Sequence, residues 1–320
     1  MRILLTGGGG FVGQWLARAL LERGDDLVLA GLGARPSEPA ILTAAEWNAV
    51  RWQAMDICID ADIHRAVDVS RPDVVIHLAG VSFPPDAERD LVATYDVNTI
   101  GTTRLLDTLA GRRRSGSIDP VVVVIGSGLQ YGPHDPSEMP LPESAEQRPI
   151  TVYAASKAAQ EVIALQMFRA TGLRVVCTRS FNHSGVGHGA QFLLPTLVRR
   201  AQSIARGRSG RSLTLGNDVI RDYLHVTDVV RAYLLLAERG VPGDVYNVCS
   251  GVGVSARRLA RDVLLQAGTT ADISSDPALV RAADIPVLVG SPERLMRTTG
   301  WTITRTHADI IDDLLHAQTE

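Results

Sequence analysis

The chain has 320 residues, a mass of 34.4 kDa and a formal charge of −3, with 45% hydrophobic and 21% charged residues. This size suits one large α/β domain or two closely joined ones, and the composition is ordinary for a globular protein with a sizeable core. The small negative charge and the pI near 6.2 argue against a dedicated binder of nucleic acid or of an anionic membrane.

The cysteines and the apolar runs indicate the cellular compartment of the protein. Cys58, Cys177 and Cys249 are widely spaced, with no CxxC pair and no metal-ligand spacing, which is typical of a reducing compartment. No apolar run reaches the ~18 residues that a membrane span needs, and no secretory segment is visible. We therefore expect a cytoplasmic protein with no metal site, no membrane contact and no nucleic-acid partner.

The first 180 residues alternate apolar strand-like runs with longer helical patterns. Such runs, separated by helices, are typical of a parallel sheet covered on both faces. They predict a doubly wound α/β Rossmann fold that binds its ligand at the carboxyl ends of the strands. The strand candidates are residues 2–6, 27–30, 50–54, 74–79, 121–126 and 174–179, and a helix starting near Tyr153 is expected to end at Thr171–Gly172.

After about residue 180 the pattern becomes less regular, with Gly-rich and basic loops and short strand-like runs. This shift predicts a smaller α/β substrate-binding domain. The expected division assigns 1–178 and about 222–247 to the Rossmann domain, and 179–221 and 248–320 to the smaller one.

The segment TGGGGFVG follows the first strand candidate and opens the first helical pattern. Its Gly7, Gly10 and Gly13 have the spacing GxxGxxG, and glycine lets the backbone approach a pyrophosphate without a Cβ in the way. The helix N-terminus adds free N–H groups and a partial positive charge. We therefore predict a dinucleotide site at these glycines, Phe11 and Val12.

The second strand candidate indicates which dinucleotide is bound. An NAD site usually ends this strand with an acidic residue, but Gly31 stands there, and Arg35 lies within reach of a 2′-phosphate. This favours NADP(H), with NAD(H) possible and a solvent-exposed role for Arg35 as the alternative. Asp56, after the third strand, is placed either to accept from the adenine amino group or to cap a helix.

A single lysine stands out in this arginine-rich chain, because all but one of its 32 Lys and Arg residues are Arg. Lys157 follows Tyr153 by four positions, so the two residues share one face of a helix. The alternative is that this spacing arose by chance and has no function. A tyrosine with a pKa of ~10 needs a nearby positive charge to act at neutral pH, and a lysine supplies it while also holding a ribose. Ser127 ends the fifth strand candidate, where its hydroxyl can polarise a substrate carbonyl or simply serve a turn.

Together, TGGGGFVG, HLAG (77–80), GSGLQYG, YxxxK and RSFNHSGVG (179–187) resemble the extended short-chain dehydrogenase/reductase family, whose members act on nucleotide sugars. The resemblance extends over the whole chain. Three later segments, 221–236, 244–251 and 281–301, are most similar to the GDP-4-keto-6-deoxy-D-mannose reductases, which make GDP-D-rhamnose.

The resemblance implies a role for individual residues. Ser127, Tyr153 and Lys157 become the catalytic set, with Tyr153 as proton donor, and the smaller domain becomes the nucleotide-sugar-binding one. Asn98 supports the active site or bonds local backbone. Arg221 and Arg281 are expected near the diphosphate or the nucleotide, and the alternative for each is a role on the protein surface. The expected substrate-binding residues are Ser127, Gly128, Asn182, Arg221 and Arg281. The expected cofactor-binding residues are Gly7, Gly10, Phe11, Val12, Gly13, Arg35, Asp56, Ile57, Leu78, Ala79, Gly80, Asn98, Tyr153 and Lys157.

Departures from the family pattern narrow the reaction. Family dehydratases need a carboxylate after the serine, whereas this chain has Gly128, Leu129 and Gln130, so 4,6-dehydration is disfavoured. The leading hypothesis is an NADPH-dependent 4-ketoreductase. A 4-epimerase with tightly bound NAD, a dTDP-4-keto-6-deoxysugar reductase and a non-enzymatic NADP-binding sensor or scaffold are the alternatives. His188, where the family usually has glutamine, leaves the shape of the sugar pocket open.

Quaternary structure is suggested by the same helix. Ala158, Val162, Leu165 and Met167 form an apolar face, which the resemblance pairs with the helix at 90–110 in the four-helix bundle of a homodimer. Packing within the chain is the alternative.

Overall fold

A seven-stranded parallel sheet forms the centre of the fold in the computed structural model, which describes residues 1–279 and 284–317. The strands are β1 (Arg2–Thr6), β2 (Asp26–Gly31), β3 (Arg51–Ala54), β4 (Val74–His77), β5 (Val121–Ser127), β6 (Arg174–Ser180), β7 (Asn182–Ser184), β8 (Ser212–Leu215), β9 (Ile220–His225), β10 (Val245–Val248), β11 (Gly253–Ser255), β12 (Asp272–Ser275) and β13 (Val287–Leu288). The central sheet has the order β10-β6-β5-β4-β1-β2-β3, and each neighbouring pair in it is parallel.

Helices cover both faces of this sheet. They are α1 (Phe11–Glu22), α2 (Ala44–Ala49), α3 (Asp60–Ser70), α4 (Pro84–Arg89), α5 (Leu91–Tyr95), α6 (Gly101–Arg114), α7 (Val152–Thr171), α8 (Leu193–Ala205), α9 (Val226–Arg239), α10 (Ala256–Gln266), α11 (Glu293–Thr299) and α12 (His307–His316). None of those described is long and apolar enough to cross a membrane.

Alternate side chains of each central strand point to opposite faces, which divides the core in two. Ile3 and Leu5 of β1 join a core cluster with α1, α9 and α11, whereas Leu4 joins a second cluster with α3, α6 and α7. Both faces of the sheet are therefore buried, and the prediction of a doubly wound α/β fold is confirmed.

A second, smaller group of elements lies beyond the central sheet. Strand β9 pairs with β7, β11 and β13, while β8 pairs with β12. Helices α8, α10 and α12 pack around a separate apolar cluster that includes Leu213 and Leu259. Strand β6 leads directly into β7 of this group, so we expect the site at the edge where the central and smaller sheets meet.

Two element boundaries differ from the sequence prediction. The chain returns to the central sheet with α9 and β10, but β9 belongs to the smaller sheet, so residues 222–225 do not join the central one. Strand β4 ends at His77 rather than at residue 79. Its neighbour β1 ends at Thr6, and Ala79 N donates to the Thr6 side-chain hydroxyl rather than to a backbone carbonyl of β1. The predicted helix end is confirmed, since α7 ends at Thr171 and Gly172 caps it at φ 72°. The domain boundaries themselves stay a prediction.

Candidate active site

The glycine loop between β1 and α1 is packed so closely that only glycine fits. A Cβ on Gly7, which has φ +69°, would lie 2.8 Å from Ala79 N and 2.9 Å from Leu78 C. A Cβ on Gly13 would lie 2.7 Å from the carbonyl oxygens of both Gly7 and Gly8. The HLAG segment, the loop and α1 therefore meet without side chains between their backbones.

The N-terminus of α1 is open to an anion. Its N-cap is Gly10, which offers no capping side chain, and the first turn contains no acidic residue. The first N–H groups of the helix and its dipole therefore remain available for phosphate. These features fit a dinucleotide, whose pyrophosphate would be held at Gly7, Gly10, Phe11, Val12 and Gly13.

The end of β2 has a packing constraint that sequence reasoning missed. A Cβ on Gly31 would lie 2.6 Å from the Trp52 ring on β3, and a Cβ on Gly9 would lie 3.3 Å from the same ring. An acidic side chain at position 31 therefore requires the Trp52 ring to move, whichever cofactor is bound. Gly31 is weaker evidence for NADP than its sequence position indicates.

The Arg35 side chain is neither fully solvated nor fully paired. Its guanidinium lies over the Trp47 ring at 4.6 Å, and Nη1 donates to Val50 O at 3.4 Å. Nη2 is buried and has no hydrogen-bond partner among the described residues. One donor nitrogen is thus left for an anion near the end of β2.

Asp56 organises the turn after β3. Its Oδ1 accepts from Cys58 N at 2.9 Å, and the residue that caps α3 is Ile59, so the helix N-cap alternative for Asp56 is wrong. The neighbouring Ile57 is buried against Gly101. Any bond from Asp56 to an adenine amino group stays a prediction.

A chain of hydrogen bonds runs beneath the HLAG segment and assigns the tautomer of His77. Thr102 donates to Asn98 O at 2.7 Å, so its hydroxyl accepts from His77 Nε2 at 2.9 Å. His77 Nδ1 then accepts from the Thr6 hydroxyl at 2.7 Å. Burial lowers the pKa of His77 to about 3, so the imidazole is neutral and its role is to hold the segment in place.

Asn98 joins this segment to α7. It is fully buried in a π-helical turn, Asp96–Ile100, a feature often found at functional sites. Its Oδ1 accepts from Val81 N at 2.8 Å, and its Nδ2 donates to Val81 O at 3.1 Å and to Ser156 Oγ at 2.9 Å. The Asn98 side chain therefore joins the loop at Val81, 17 residues away, to the helix that carries Tyr153 and Lys157, rather than bonding local backbone.

The hydroxyl groups of Ser127 and Tyr153 meet at the carboxyl end of β5. Ser127 Oγ accepts from Leu129 N at 3.2 Å, and the Tyr153 side chain lies close enough to Ser127 for the serine to affect its pKa. Burial raises the pKa of Tyr153, and Ser127 offsets only part of that effect. Burial therefore outweighs any lowering of the tyrosine pKa by Lys157 in this structure, and the role of the lysine towards Tyr153 stays a prediction.

Lys157 is buried, with 5% of its surface exposed. Its Nζ donates to Ile125 O and to Gln160 Oε1, both at 2.9 Å, and it has no hydrogen bond to Tyr153 in the described parts of the chain. A Cβ on Gly80 would lie 3.5 Å from Nζ, so the ammonium faces the HLAG segment. Burial lowers the pKa of Lys157 to about 8.

A buried polar network supports Ser127 from behind, and sequence reasoning missed it. Gln130 accepts from Ser127 N at 2.7 Å and donates to Glu161 at 2.9 Å. Glu161 forms a two-bond ion pair with Arg179, at 2.9 and 2.7 Å, and accepts from Gln147 at 2.6 Å. Two sequence signals were available: an arginine inside the apolar run RVVCTRS, and a glutamate one turn beyond the lysine.

The substrate-side residues lie on β7, β9 and the turn after β5. Asn182 is the register partner of Tyr223, and its side chain lies close enough to lower the pKa of that tyrosine, which burial raises. Arg221 lies two residues before Tyr223, on the same face of β9. A Cβ on Gly128 would lie 3.0 Å from the Phe181 ring. Arg281 lies outside the described residues.

An aromatic stack joins α1 to the loop before α8. The His188 ring stacks on Phe11 at 4.7 Å and on Phe192 at 4.1 Å, and Phe192 meets Phe83 edge-on at 5.2 Å. Ser184 Oγ bonds His188 Nδ1 at 2.9 Å, and burial lowers the histidine pKa to about 3. The histidine that replaces the usual glutamine thus closes the rim between the glycine loop and the smaller sheet.

Fold and site together define a dinucleotide-dependent enzyme of the doubly wound α/β class. The chain belongs to the NAD dependent epimerase/dehydratase family, whose model matches residues 3–249, so the resemblance read from the sequence is confirmed. The GDP-6-deoxy-D-mannose reductase of Pseudomonas aeruginosa is 38% identical over 247 residues, which cover 76% of this chain and 80% of that protein.

Two solved structures share the whole fold. RMD from Pseudomonas aeruginosa, complexed with NADPH, superposes with a TM-score of 0.83 at 30% identity and covers 98% of both chains. The UDP-glucose 4-epimerase of Thermus thermophilus, complexed with NAD, has a TM-score of 0.84 at 27% identity, covering 99% of this chain and 100% of that one. Similar folds therefore hold either dinucleotide.

Proposed function

We propose that this chain is an NADPH-dependent reductase of the C4 ketone of a nucleotide-diphospho-4-keto-6-deoxyhexose. The proposed substrate is GDP-4-keto-6-deoxy-D-mannose and the product GDP-D-rhamnose. The observation that carries the proposal is the meeting of the Ser127 and Tyr153 hydroxyls at the end of β5, one helical turn from the buried Lys157 ammonium. The Pseudomonas reductase and the NADPH complex of RMD support it.

In the proposed reaction each side chain has one task. NADPH, when bound, supplies the hydride. Ser127 donates a hydrogen bond to the ketone oxygen, and Tyr153 protonates that oxygen. Lys157 holds the cofactor ribose, and its charge stabilises the phenolate left on Tyr153.

A nucleotide-sugar 4-epimerase is the second candidate, because the UDP-glucose 4-epimerase of Thermus thermophilus has a similar fold. The raised pKa of Tyr153 keeps its hydroxyl protonated at neutral pH, which is the form that a proton donor needs.

Dehydration is disfavoured because the turn after β5 contains no carboxylate. Leu129 packs against an apolar cluster that contains Tyr131 and Phe181, and Gln130 is fully buried in the polar network behind Ser127. Neither can supply the carboxylate that elimination of water requires.

Replacing Arg35 with Ala tests the proposed preference for NADPH. We expect kcat/KM for NADPH to fall about tenfold or more, because the unpartnered Nη2 is proposed to bind the 2′-phosphate, while the value for NADH stays unchanged. Steady-state kinetics with both cofactors measure this. Arg51→Ala, at an exposed arginine on β3 that pairs with Asp26, is the matched control. An equal loss with both cofactors would assign Arg35 a packing role only.

The reduction should lose rate above pH about 8. The folded-state pKa of Lys157 is lowered from 10.5 to about 8, so the ammonium is present below that pH and lost above it. We expect kcat/KM to fall about tenfold per pH unit beyond this point. In Lys157→Arg the guanidinium stays protonated, so that limb should disappear although activity is lower throughout. A profile flat to pH 10 in the unaltered protein contradicts the assignment.

We also propose a homodimer through α7 and the helical stretch from α5 to α6. Val162 on α7 is 62% exposed, and Val92 on α5 is 74% exposed. Leu165 and Met167, expected at the interface, instead pack against the core of their own chain, so the face is smaller than the sequence indicated.

Val162→Glu should convert the proposed dimer to a monomer of 34.4 kDa in light scattering after size exclusion. The buried charge would oppose the apolar contact. Val252→Glu, at a valine that is 65% exposed outside this surface, is the matched control and should remain dimeric. A monomeric unaltered protein would remove the proposal.

The nucleobase is tested by a thermal-shift panel of GDP, UDP, dTDP and CDP. We expect GDP to stabilise the protein most, since at equal concentration the ligand that binds the folded state most tightly raises the unfolding midpoint most. Preferential stabilisation by dTDP would favour a dTDP-4-keto-6-deoxysugar reductase instead.

A further inference from the structure

The Lys157 ammonium has few partners. It carries three N–H donors, of which one is used by Ile125 O and one by Gln160 Oε1. The side of Nζ that faces Gly80 is left for a ligand. Ile125 O belongs to β5 and is fixed by the sheet, so Gln160 is the side chain that directs the lysine.

Gln160 is itself buried and incompletely bonded. It is 1% exposed, and its Nε2 has no hydrogen-bond acceptor within the described residues. A buried N–H without an acceptor destabilises the fold, so a residue that only fills space would be better as methionine or leucine. The opposite amide orientation would place Nε2 against the ammonium, donor against donor. The amide is therefore oriented by the lysine.

We propose that Gln160 is a positioning residue: its amide oxygen aims the Lys157 ammonium at the cofactor and sets how firmly the lysine keeps its proton. The effect of Gln160 on cofactor binding rests on the proposed role of Lys157 in holding the cofactor ribose. The effect of Gln160 on the lysine pKa concerns the folded chain alone and is tested separately.

Few charged groups surround the Lys157 ammonium, so a single substitution at Gln160 should have the largest effect on the lysine pKa. From β4 comes His77, which is neutral because burial lowers its pKa to about 3. From α7 come Gln160 and Tyr153, whose pKa is raised, and Glu161, whose carboxylate is engaged by Arg179. No carboxylate contacts Nζ in the described parts of the chain. A neutral amide therefore faces a cation that a carboxylate of the same shape would hold more firmly.

The lone lysine makes the test direct. Protein grown with ¹³Cε-lysine gives one lysine resonance, because Lys157 is the only lysine in the chain, and its pH titration reports one pKa. We expect a midpoint near 8 in the unaltered protein. Gln160→Glu should raise it by about one unit or more, and Gln160→Met should lower it. Gln166→Glu, an exposed glutamine on the same helix, is the matched control and should leave it unchanged.

Kinetics supply the second measurement. Gln160→Met should raise KM for NADPH about tenfold with a smaller change in kcat, because a misdirected ammonium weakens ribose binding first. The high-pH limb of kcat/KM should follow the NMR midpoint in each variant. If Gln160→Glu does not fold, Gln160→Met decides alone.

Two results would overturn the inference: the same lysine midpoint in Gln160→Glu and Gln166→Glu, or an unchanged midpoint and KM in Gln160→Met. Failure of the proposed function looks different. In that case Lys157→Met would bind NADPH as the unaltered protein does, while the resonance would still shift in the Gln160 variants.

Discussion

Tyr153→Phe should lower kcat for 4-keto-sugar reduction by about 10²–10⁴-fold, with a much smaller effect on the Kd for NADPH. The substitution removes the hydroxyl that lies beside Ser127 but keeps the ring, so at most one hydrogen bond to the cofactor is lost. NADPH absorbance measures turnover, and cofactor fluorescence measures binding.

The matched control for this prediction is Tyr95→Phe, at a half-buried tyrosine on α5 outside the proposed site. It should retain kcat. If Tyr153→Phe keeps all measurable reduction, the catalytic set is wrong. If the unaltered protein binds NADPH but reduces no keto sugar, the result would favour the alternative of a non-enzymatic NADP-binding sensor or scaffold.

Glu161→Leu should lower the free energy of unfolding by about 3–5 kcal/mol, because it leaves the Arg179 guanidinium buried without its partner. It also frees Gln130, which accepts from Ser127 N, so kcat should fall in the surviving folded protein. Urea unfolding measures the first effect, and kinetics well below the unfolding midpoint measure the second.

Two comparisons isolate the buried charge. Glu161→Leu combined with Arg179→Met should recover most of the lost stability, since apolar residues of similar size often replace a buried ion pair at little cost. Asp86→Asn breaks the exposed pair with Arg89 and should change stability by under about 1 kcal/mol. A Glu161→Leu effect as small as that of Asp86→Asn would contradict the structural role of the network.

The parts of the fold that could be predicted are those with local signals. Runs of buried strand residues separated by helices indicate a parallel doubly wound sheet, and Gly172 marks the end of α7. The pairing of β9 could not be predicted, because the short segment 220–225 carries no local signal for one sheet over the other. Its place depends on β7, β11 and β13, which lie far from it in sequence.

The candidate site divides in the same way. Tyr153 and Lys157 share one helix, so their spacing places them together without knowledge of the fold. The constraint on Gly31 depends on Trp52, one strand away, and the Tyr153 pKa depends on burial, so neither could be predicted from spacing. The Gln130–Glu161–Arg179 network joins three separate segments, and its sequence signals, an arginine in an apolar strand and a glutamate one turn beyond Lys157, do not show that the residues meet.

Reduction is tested most directly by tracing the hydride. The purified protein is incubated with NADPH deuterated at the transferring position of nicotinamide C4 and with GDP-4-keto-6-deoxy-D-mannose. We expect one deuterium at C4 of the sugar for each NADPH oxidised, from protein purified without bound cofactor. Stoichiometric NAD in the purified protein, with C4 epimers of a nucleotide sugar interconverting and no NADPH consumed, would contradict the proposed reduction.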